Sequence, residues 1–305
     1  MIEMSKRMKA NILLLITAMI WGSSFVSQVS GMDYVGPITF QGIRLMCAAA
    51  VLIPVVLVMN RGKGPLFAPE KKAENKATLI GGVCCGCALF VACILQQIGC
   101  VYTTAGKAGF ITTLYVAVVP ILSIILRKRV RPIMWLCVVL GVIGLYLLAM
   151  PNGFEAINPG DIWIMLCAVG FAVHILVCDH FVDKLDGVKL SCIQFITAGI
   201  LACIAMFIFE EPNMHDILQC AIPILYAGCL SGGVGYTLQI VAQRDAEPTV
   251  ASLLMSLESV FAAIFGALLL HEVMSTRELI GCCVIFAAVI VSNLPERKNP
   301  KLADK

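Results

Sequence analysis

Residues 132–178 read PIMWLCVVLGVIGLYLLAM, then PNGFEAINPG, then DIWIMLCAVGFAVHILVC. Each outer run is apolar and close to the length of about 20 residues that carries a helix across a hydrocarbon layer at about 1.5 Å per residue. The connector opens on Pro151-Asn152-Gly153, which breaks helices. The same alternation recurs from the first dozen residues almost to the end. It predicts ten spans, at approximately 10–29, 35–59, 77–98, 103–126, 132–150, 159–178, 189–209, 218–240, 248–270 and 276–293. Nothing remains for a separate soluble domain, so the expected fold is an all-α membrane protein whose function lies inside the bilayer.

Composition agrees. Hydrophobic residues make up 60% and charged residues 13% of the 305-residue chain, against about 45–50% and 25% in soluble domains. The basic start (Lys6, Arg7, Lys9) before an apolar run is signal-like, but no small-residue cleavage site follows, so an uncleaved first span is expected. Of fifteen cysteines, most fall within spans, where Cys acts as a small soft hydrophobe. The cluster Cys84-Cys85-Gly86-Cys87 lacks a second pair or a nearby His, so no metal site is expected.

Lys and Arg sort sharply. The N-terminus, the 60–76 loop, the group Arg127, Lys128, Arg129 and Arg131, then Lys184, Lys189, Arg244 and the tail all fall on one side of the ten spans. The opposite side receives Arg277. The positive-inside rule then makes both termini cytoplasmic, in a multi-pass protein of the plasma membrane.

The second half echoes the first. Leu95-Gln96-Gln97 precedes a turn and the span at 103–126; Leu238-Gln239 precedes a turn and the span at 248–270. Two units, 1–150 and 151–305, of five spans each follow. An odd span number inverts the second unit relative to the first, a plan that places a substrate site at the repeat interface of secondary transporters.

Further motifs carry a family resemblance. Tyr102-Thr103-Thr104-Ala105-Gly106-Lys107-Ala108-Gly109-Phe110-Ile111-Thr112-Thr113-Leu114-Tyr115-Val116, ending in Val119-Pro120, resembles the fourth span of EamA-type transporters of the drug/metabolite transporter superfamily. Trp21-Gly22-Ser23-Ser24-Phe25 is similar to their first span, Gly144-Leu145-Tyr146-Leu147-Leu148 to their fifth, and Ser256-Leu257-Glu258-Ser259-Val260 to their ninth. The resemblance implies ten helices with both termini inside and a cavity lined by spans 1, 3, 4, 6, 8 and 9. It also implies export of amino acids or related metabolites. Ser259 stands where the family usually has proline, which implies a less kinked ninth helix.

Glu258 is the sharpest candidate residue. It lies about ten residues, or about 15 Å, into its span, where a carboxylate is costly unless protonated, paired or hydrated. It is the candidate coupling group or cation site, against a purely structural role. Arg44 is the deep cation of span 2; it could pair with a carboxylate or bind an anionic substrate group, but a structural role is favoured, since that span is peripheral in the family. Lys107 reads as snorkelling, with substrate attraction as the competitor. Trp21, Ser24 and Gln28 share a helical face, as do Tyr236, Gln239 and Gln243 in span 8. Gln96 and Gln97 hold the matching place in span 3, and Phe110 and Thr113 mark a face of span 4. Buried amides in lipid need partners or water. These residues are candidates for a cavity suited to a zwitterion or flat organic molecule, with interhelical glue the alternative for any one of them.

His174 joins the cavity candidates, though a lone membrane histidine is more often a packing residue. His271-Glu272 reads as an interfacial pair, and Asp179-His180 as a solvated helix end. Gly81-Gly82 and Gly232-Gly233 are candidate bending points. No phosphate loop, nucleophile elbow or paired carboxylates appear, so no cofactor, ATP drive or nucleic acid is expected. The expected partners are a small-molecule substrate and membrane lipids, with a homodimer left open. The reading is a secondary transporter exporting amino acids or related small metabolites by alternating access. A cationic-drug exporter is the rival within transport, and a membrane enzyme acting on a lipid-linked substrate the rival outside it.

Overall fold

The computed structural model describes residues 6–61, 72–102, 105–149, 159–183, 185–270 and 275–294, the side chains of 105–107, 148–149 and 266–270 excepted. All regular structure among them is helical. The helices are α1 (Lys6–Gly31), α2 (Pro37–Met59), α3 (Lys72–Cys100), α4 (Ala105–Thr113), α5 (Tyr115–Ile125), α6 (Pro132–Ala149), α7 (Pro159–Val182), α8 (Gly187–Phe209), α9 (Met214–Gln219) and α10 (Ala221–Leu225). A segment of wider i→i+5 turns, Tyr226–Tyr236, leads into α11 (Thr237–Gln243), α12 (Pro248–Met255), α13 (Glu258–Leu270) and α14 (Thr276–Ser292).

Among the described residues, eight helical segments are long and apolar enough to cross a membrane. Three of these are composite: Ala108–Ile125 joins α4 to α5, Ala221–Gln243 runs from α10 to α11, and Pro248–Phe265 joins α12 to α13. Helices α6 and α14 occupy the places of the other two expected spans, 132–150 and 276–293, but neither is among the eight. The 17 residues of α14 rise about 26 Å, slightly less than a typical hydrocarbon layer. The outer surface is a belt of exposed Leu, Ile, Val and Phe, such as Val58, Ile125 and Ile290. The glutamines, except Gln219, are turned inward. This reverses a soluble globule and suits lipid as the surrounding solvent.

Helix ends follow local chemistry. Pro37 starts α2, whose first N–H groups at Ile38 and Thr39 donate to the Glu210 carboxylate at 3.0 and 2.7 Å, so a residue at the end of α8 caps α2. Asp186 caps α8 through Val188 N–H and Lys189 N–H. Ser275 and Glu278 form a capping box on α14. The polar group Glu210-Glu211-Pro212-Asn213 ends α8 as its composition predicts, while Pro151-Asn152-Gly153 lies outside the described residues.

Packing relies on small residues. α3 lies against α7 and α8, α2 against α8, α6 against α14, and α1 against α13 and the wide-turn segment. A Cβ added at Gly86 of α3 would sit 2.7 Å from Gln194 O of α8, and one at Gly144 of α6 would sit 2.9 Å from Gly281 O of α14. These are backbone-to-backbone approaches of the kind that hold membrane helices together.

Two spans break part-way along their length. The fourth is interrupted at Leu114, just after Thr113, whose Oγ1 donates back to Gly109 O at 3.0 Å and Phe110 O at 2.8 Å. The other breaks at Ser256-Leu257 although no proline follows Glu258. The expectation of a less disturbed helix there is therefore corrected. Ser252 Oγ donates to Thr249 O at 2.9 Å and Ser256 Oγ to Leu253 O at 2.8 Å. Such back-bonding competes with the helical ladder and bends it. The two breaks touch through Thr113 Oγ1 and Ser259 Oγ, 3.1 Å apart.

Candidate functional site: a closed polar cavity between the helices

The breaks and the wide-turn segment face a common tight space of about 20 Å³, room for one or two water molecules. α1 contributes Trp21, Phe25 and Gln28; α2 contributes Arg44; α3 contributes Gln96. Thr112 and Tyr115 flank the break between α4 and α5, and Phe171 and Ile175 project from α7. Ser231 and Tyr236 come from the wide-turn segment, Gln239 from α11 and Glu258 from the first residue of α13. Its polar groups are shut away from solvent: Glu258 is 3% exposed and Arg44 2%.

Arg44 is the structural hub. Its Nη1 donates to Gln28 Oε1 at 2.8 Å, its Nε to Ala227 O at 3.2 Å and its Nη2 to Ser231 Oγ at 3.4 Å. It thereby ties α1, α2 and the wide-turn segment. Trp21 Nε1 donates to Ser231 O at 3.3 Å, and Thr17 Oγ1 to Gly235 O at 3.2 Å. Carbonyls 227, 231 and 235 thus each accept from a side chain of α1 or α2. Widened turns loosen i→i+4 pairing, and these outside donors satisfy the freed acceptors.

Glu258 has a sparser environment. Its Oε1 accepts one hydrogen bond in the described structure, from Tyr115 Oη at 3.3 Å. Glu258 and Tyr115 are the first residues of α13 and α5, so the bond joins the two helix breaks. A helix start tolerates negative charge, but one long hydrogen bond leaves a buried carboxylate poorly solvated. Arg44 and Glu258 line one cavity, yet no ion pair joins them among the described residues. The cavity therefore presents a cation and a carboxyl group that do not neutralise each other directly, with aromatic rings in the same lining. Trp21 and Tyr236 stack at 4.5 Å between centroids.

The structure brings Trp21, Gln28, Gln96, Tyr236, Gln239 and Glu258 together in the lining. Ser24, Gln97, Phe110, Thr113 and His174 are buried but lie outside it. Gln97 donates to Gln28 O at 3.0 Å and accepts from Gln41 Nε2 at 3.0 Å, which is interhelical glue. Thr113 bonds back to Gly109 O and Phe110 O and across to Ser259. His174 Nε2 lies 2.9 Å from Gln194 Oε1 and 3.3 Å from Cys178 Sγ, and its ring meets Tyr236 edge-on.

Sequence reasoning assigned Arg44 a structural role, and it is also a lining residue. Phe25, Thr112, Phe171, Ile175 and Ser231 were not singled out; the glycine-rich run 226–236 was the available signal for Ser231. Asp179, expected to be solvated, pairs with Lys128 at the end of the bundle, because the turn after α5 brings that ammonium alongside α7. The side chain of Lys107 and the pair His271-Glu272 lie outside the described residues.

Comparison with known proteins adds independent findings. The EamA-like transporter family matches the chain twice, over residues 8–150 and 158–294. An uncharacterized transporter of Archaeoglobus fulgidus is 28% identical over 95% of this chain and 87% of its own length. The uncharacterized transporter YoaV of Bacillus subtilis is 23% identical over 88% and 92%. The uncharacterized inner membrane transporter YedA of Escherichia coli K12 is 21% identical over 90% and 87%. A crystal structure covering 93% of this chain and 98% of its own superimposes with a TM-score of 0.74 at 17% identity, a likeness of fold.

Proposed function

The chain belongs to the EamA-like transporter family, and we infer from this premise and from its cavity that it is a secondary exporter of a small zwitterion, an amino acid or close relative. The observation that carries this reading is the placement of Arg44 and Glu258 on one closed cavity without an ion pair between them. Arg44 offers charged donors to a carboxylate, and Glu258 offers an acceptor to an ammonium group. The rings of Trp21, Phe25, Phe171 and Tyr236 take the apolar part of the solute. Gln96 and Gln239 orient it. Export is carried over from the family resemblance.

The mechanism is alternating access by two inverted five-helix units, 1–150 and 151–305, in a plasma membrane with both termini cytoplasmic. The twofold family match supports the two units. So does the packing, which maps onto itself when each helix is exchanged for its counterpart. α3 on α7 answers α1 on the wide-turn segment and α11; α3 on α8 answers α2 on the wide-turn segment; α4 and α5 on α7 answer α1 on α12 and α13. The basic side chains support the orientation. Arg7, near the start of α1, and Arg131 both donate to carbonyls at the end of α14, at Asn293 and Ser292, so these termini share one end.

A cationic-drug exporter would use Glu258 and the aromatic rings alike, but Arg44 in the same cavity opposes a bare cation. A membrane enzyme on a lipid-linked substrate would gather its polar groups at one interface, whereas these are enclosed between helices. The test is ligand-induced stabilisation of the purified protein. A ligand at 100 times its Kd stabilises the folded state by about 2.7 kcal/mol. Amino acids should raise the melting temperature, while the matching amines and methyl esters, which lack the carboxylate, should not. Equal stabilisation by amine and amino acid would remove the zwitterion reading.

A further inference from the structure

At the end of the bundle that carries Lys128 and Arg244 lies a second space, an open vestibule of about 460 Å³. Its wall mixes signs: Lys128, Arg129 and Arg244 stand with Asp179, Asp183 and Glu247. The Lys128–Asp179 ion pair joins the turn after α5 to α7, and Arg131 Nε lies 3.4 Å from Glu247 Oε2 at the start of α12. These pairs frame the rim.

The vestibule and the central cavity share α11. Gln239 lines the central cavity, and Gln243, one turn on, lines the vestibule. Gln239 Nε2 donates to Gln243 Oε1 at 3.1 Å, and Gln243 Nε2 donates to Ile175 O of α7 at 3.1 Å. Ile175 itself lines the central cavity. Two amides and an isoleucine therefore form one layer that reaches from one space to the other. Both glutamines are buried, and Gln239 Oε1 has no hydrogen-bond partner among the described residues.

We propose that the vestibule is the port by which the central cavity exchanges with this face of the membrane, and that Gln243 is the gate between them. The chemistry suits a gate. A neutral amide pair is a weak closure compared with a buried ion pair. Rotation of the Gln243 side chain breaks both bonds of the layer without unwinding a helix. The idle acceptor on Gln239 then meets water or the solute. A wall with both signs of charge admits a zwitterion in either orientation.

The test reads water access to Glu258 and needs no transport. Purified protein in lipid nanodiscs is treated with a water-soluble carbodiimide and glycine ethyl ester, and amide formation at Glu258 is measured by peptide mass spectrometry. Asp179 and Glu247 in the vestibule serve as internal references. Loss of the two amide bonds in Gln243→Ala should raise Glu258 labelling by about fivefold or more. Gln243→Asn, which keeps the amide but shortens its reach, should act the same way if the alanine variant folds poorly. Gln97→Ala, which deletes an equally buried amide away from the layer, should leave labelling at the wild-type level. Adding Ala246→Trp to Gln243→Ala should fill the vestibule and return labelling towards wild type. Unchanged labelling in both Gln243 variants would overturn the gate, and labelling that persists with Ala246→Trp would overturn the port. Either failure leaves the zwitterion reading standing, because that reading is tested by ligand stabilisation.

Discussion

Replacing Arg44 by Met removes the charge at one pole of the cavity and three hydrogen bonds between helices. The bond to Gln28 Oε1 at 2.8 Å has good charged-donor geometry, that to Ala227 O at 3.2 Å is intermediate, and that to Ser231 Oγ at 3.4 Å is near the limit. A bond from a charged donor contributes about 1.5–3 kcal/mol and a neutral one about 1, although interhelical bonds in a membrane average nearer 0.6 kcal/mol. Arg44→Met should therefore cost about 2–4 kcal/mol of stability, leaving the Gln28 and Ala227 oxygens unserved. Its effect on ligand is larger. Truncating one member of a buried, hydrogen-bonded charge pair costs about 2–5 kcal/mol, or about 30-fold to several-thousand-fold in Kd. Arg44→Lys keeps the charge but lacks the planar fork that spans three separated acceptors and should fall between wild type and Arg44→Met. The assay is the melting temperature of each variant, alone and with a titrated amino acid. Arg44→Met should melt earlier and show no amino-acid shift. An unchanged amino-acid shift in Arg44→Met would refute a carboxylate pole at this residue.

Other perturbations follow from the same geometry. Gly22→Ala should depress folded yield, measured by size-exclusion chromatography, because its Cβ would lie 2.5 Å from Glu258 O and 2.8 Å from Ala262 N, both backbone atoms. Gly232→Leu should slow transport in vesicles while the protein still inserts, since its Cβ already points at Ala48 Cβ, 2.9 Å away, where α2 meets the wide-turn segment. Glu210→Ala removes the acceptor of two N–H groups of α2 and should destabilise by about 1–2 kcal/mol, seen as a lower melting temperature with ligand affinity intact. Gln97→Leu breaks the links to Gln28 O and Gln41 and should lower stability with little change in which solutes bind.

The spans were legible because their signal is collective: twenty apolar residues followed by Pro, Asn or Gly leave few alternatives. The breaks were not. Ser252 and Ser256 sit in an apolar run that reads as continuous helix, and only the structure shows their hydroxyls bonded to carbonyls three residues back. The wide-turn segment was half visible, as Gly228, Gly232, Gly233 and Gly235, but glycine frequency cannot separate a bending point from a close contact. A Cβ at Gly228 would lie 2.8 Å from Arg44 O. That approach of α2 lets a residue from an outwardly peripheral span reach the cavity. Glu258 stood out because a deep carboxylate has few roles in lipid. The amides were harder. Gln96 and Gln97 are neighbours in sequence, about 100° apart around α3, and only the first faces the cavity. A face assigned by i, i+3, i+7 spacing likewise kept Trp21 and Gln28 but placed Ser24 between helices.

The account rests on a solute that needs both poles. Purified protein in proteoliposomes, loaded with an equimolar pool of amino acids, their methyl esters and their decarboxylated amines, tests it directly when protein-dependent loss of each is followed for wild type and Glu258→Gln. The expected result is loss of one or more amino acids, no matching loss of ester or amine, and abolition in Glu258→Gln. Protein-dependent loss of esters and amines with the amino acids retained would contradict it and make the cavity that of a cation exporter.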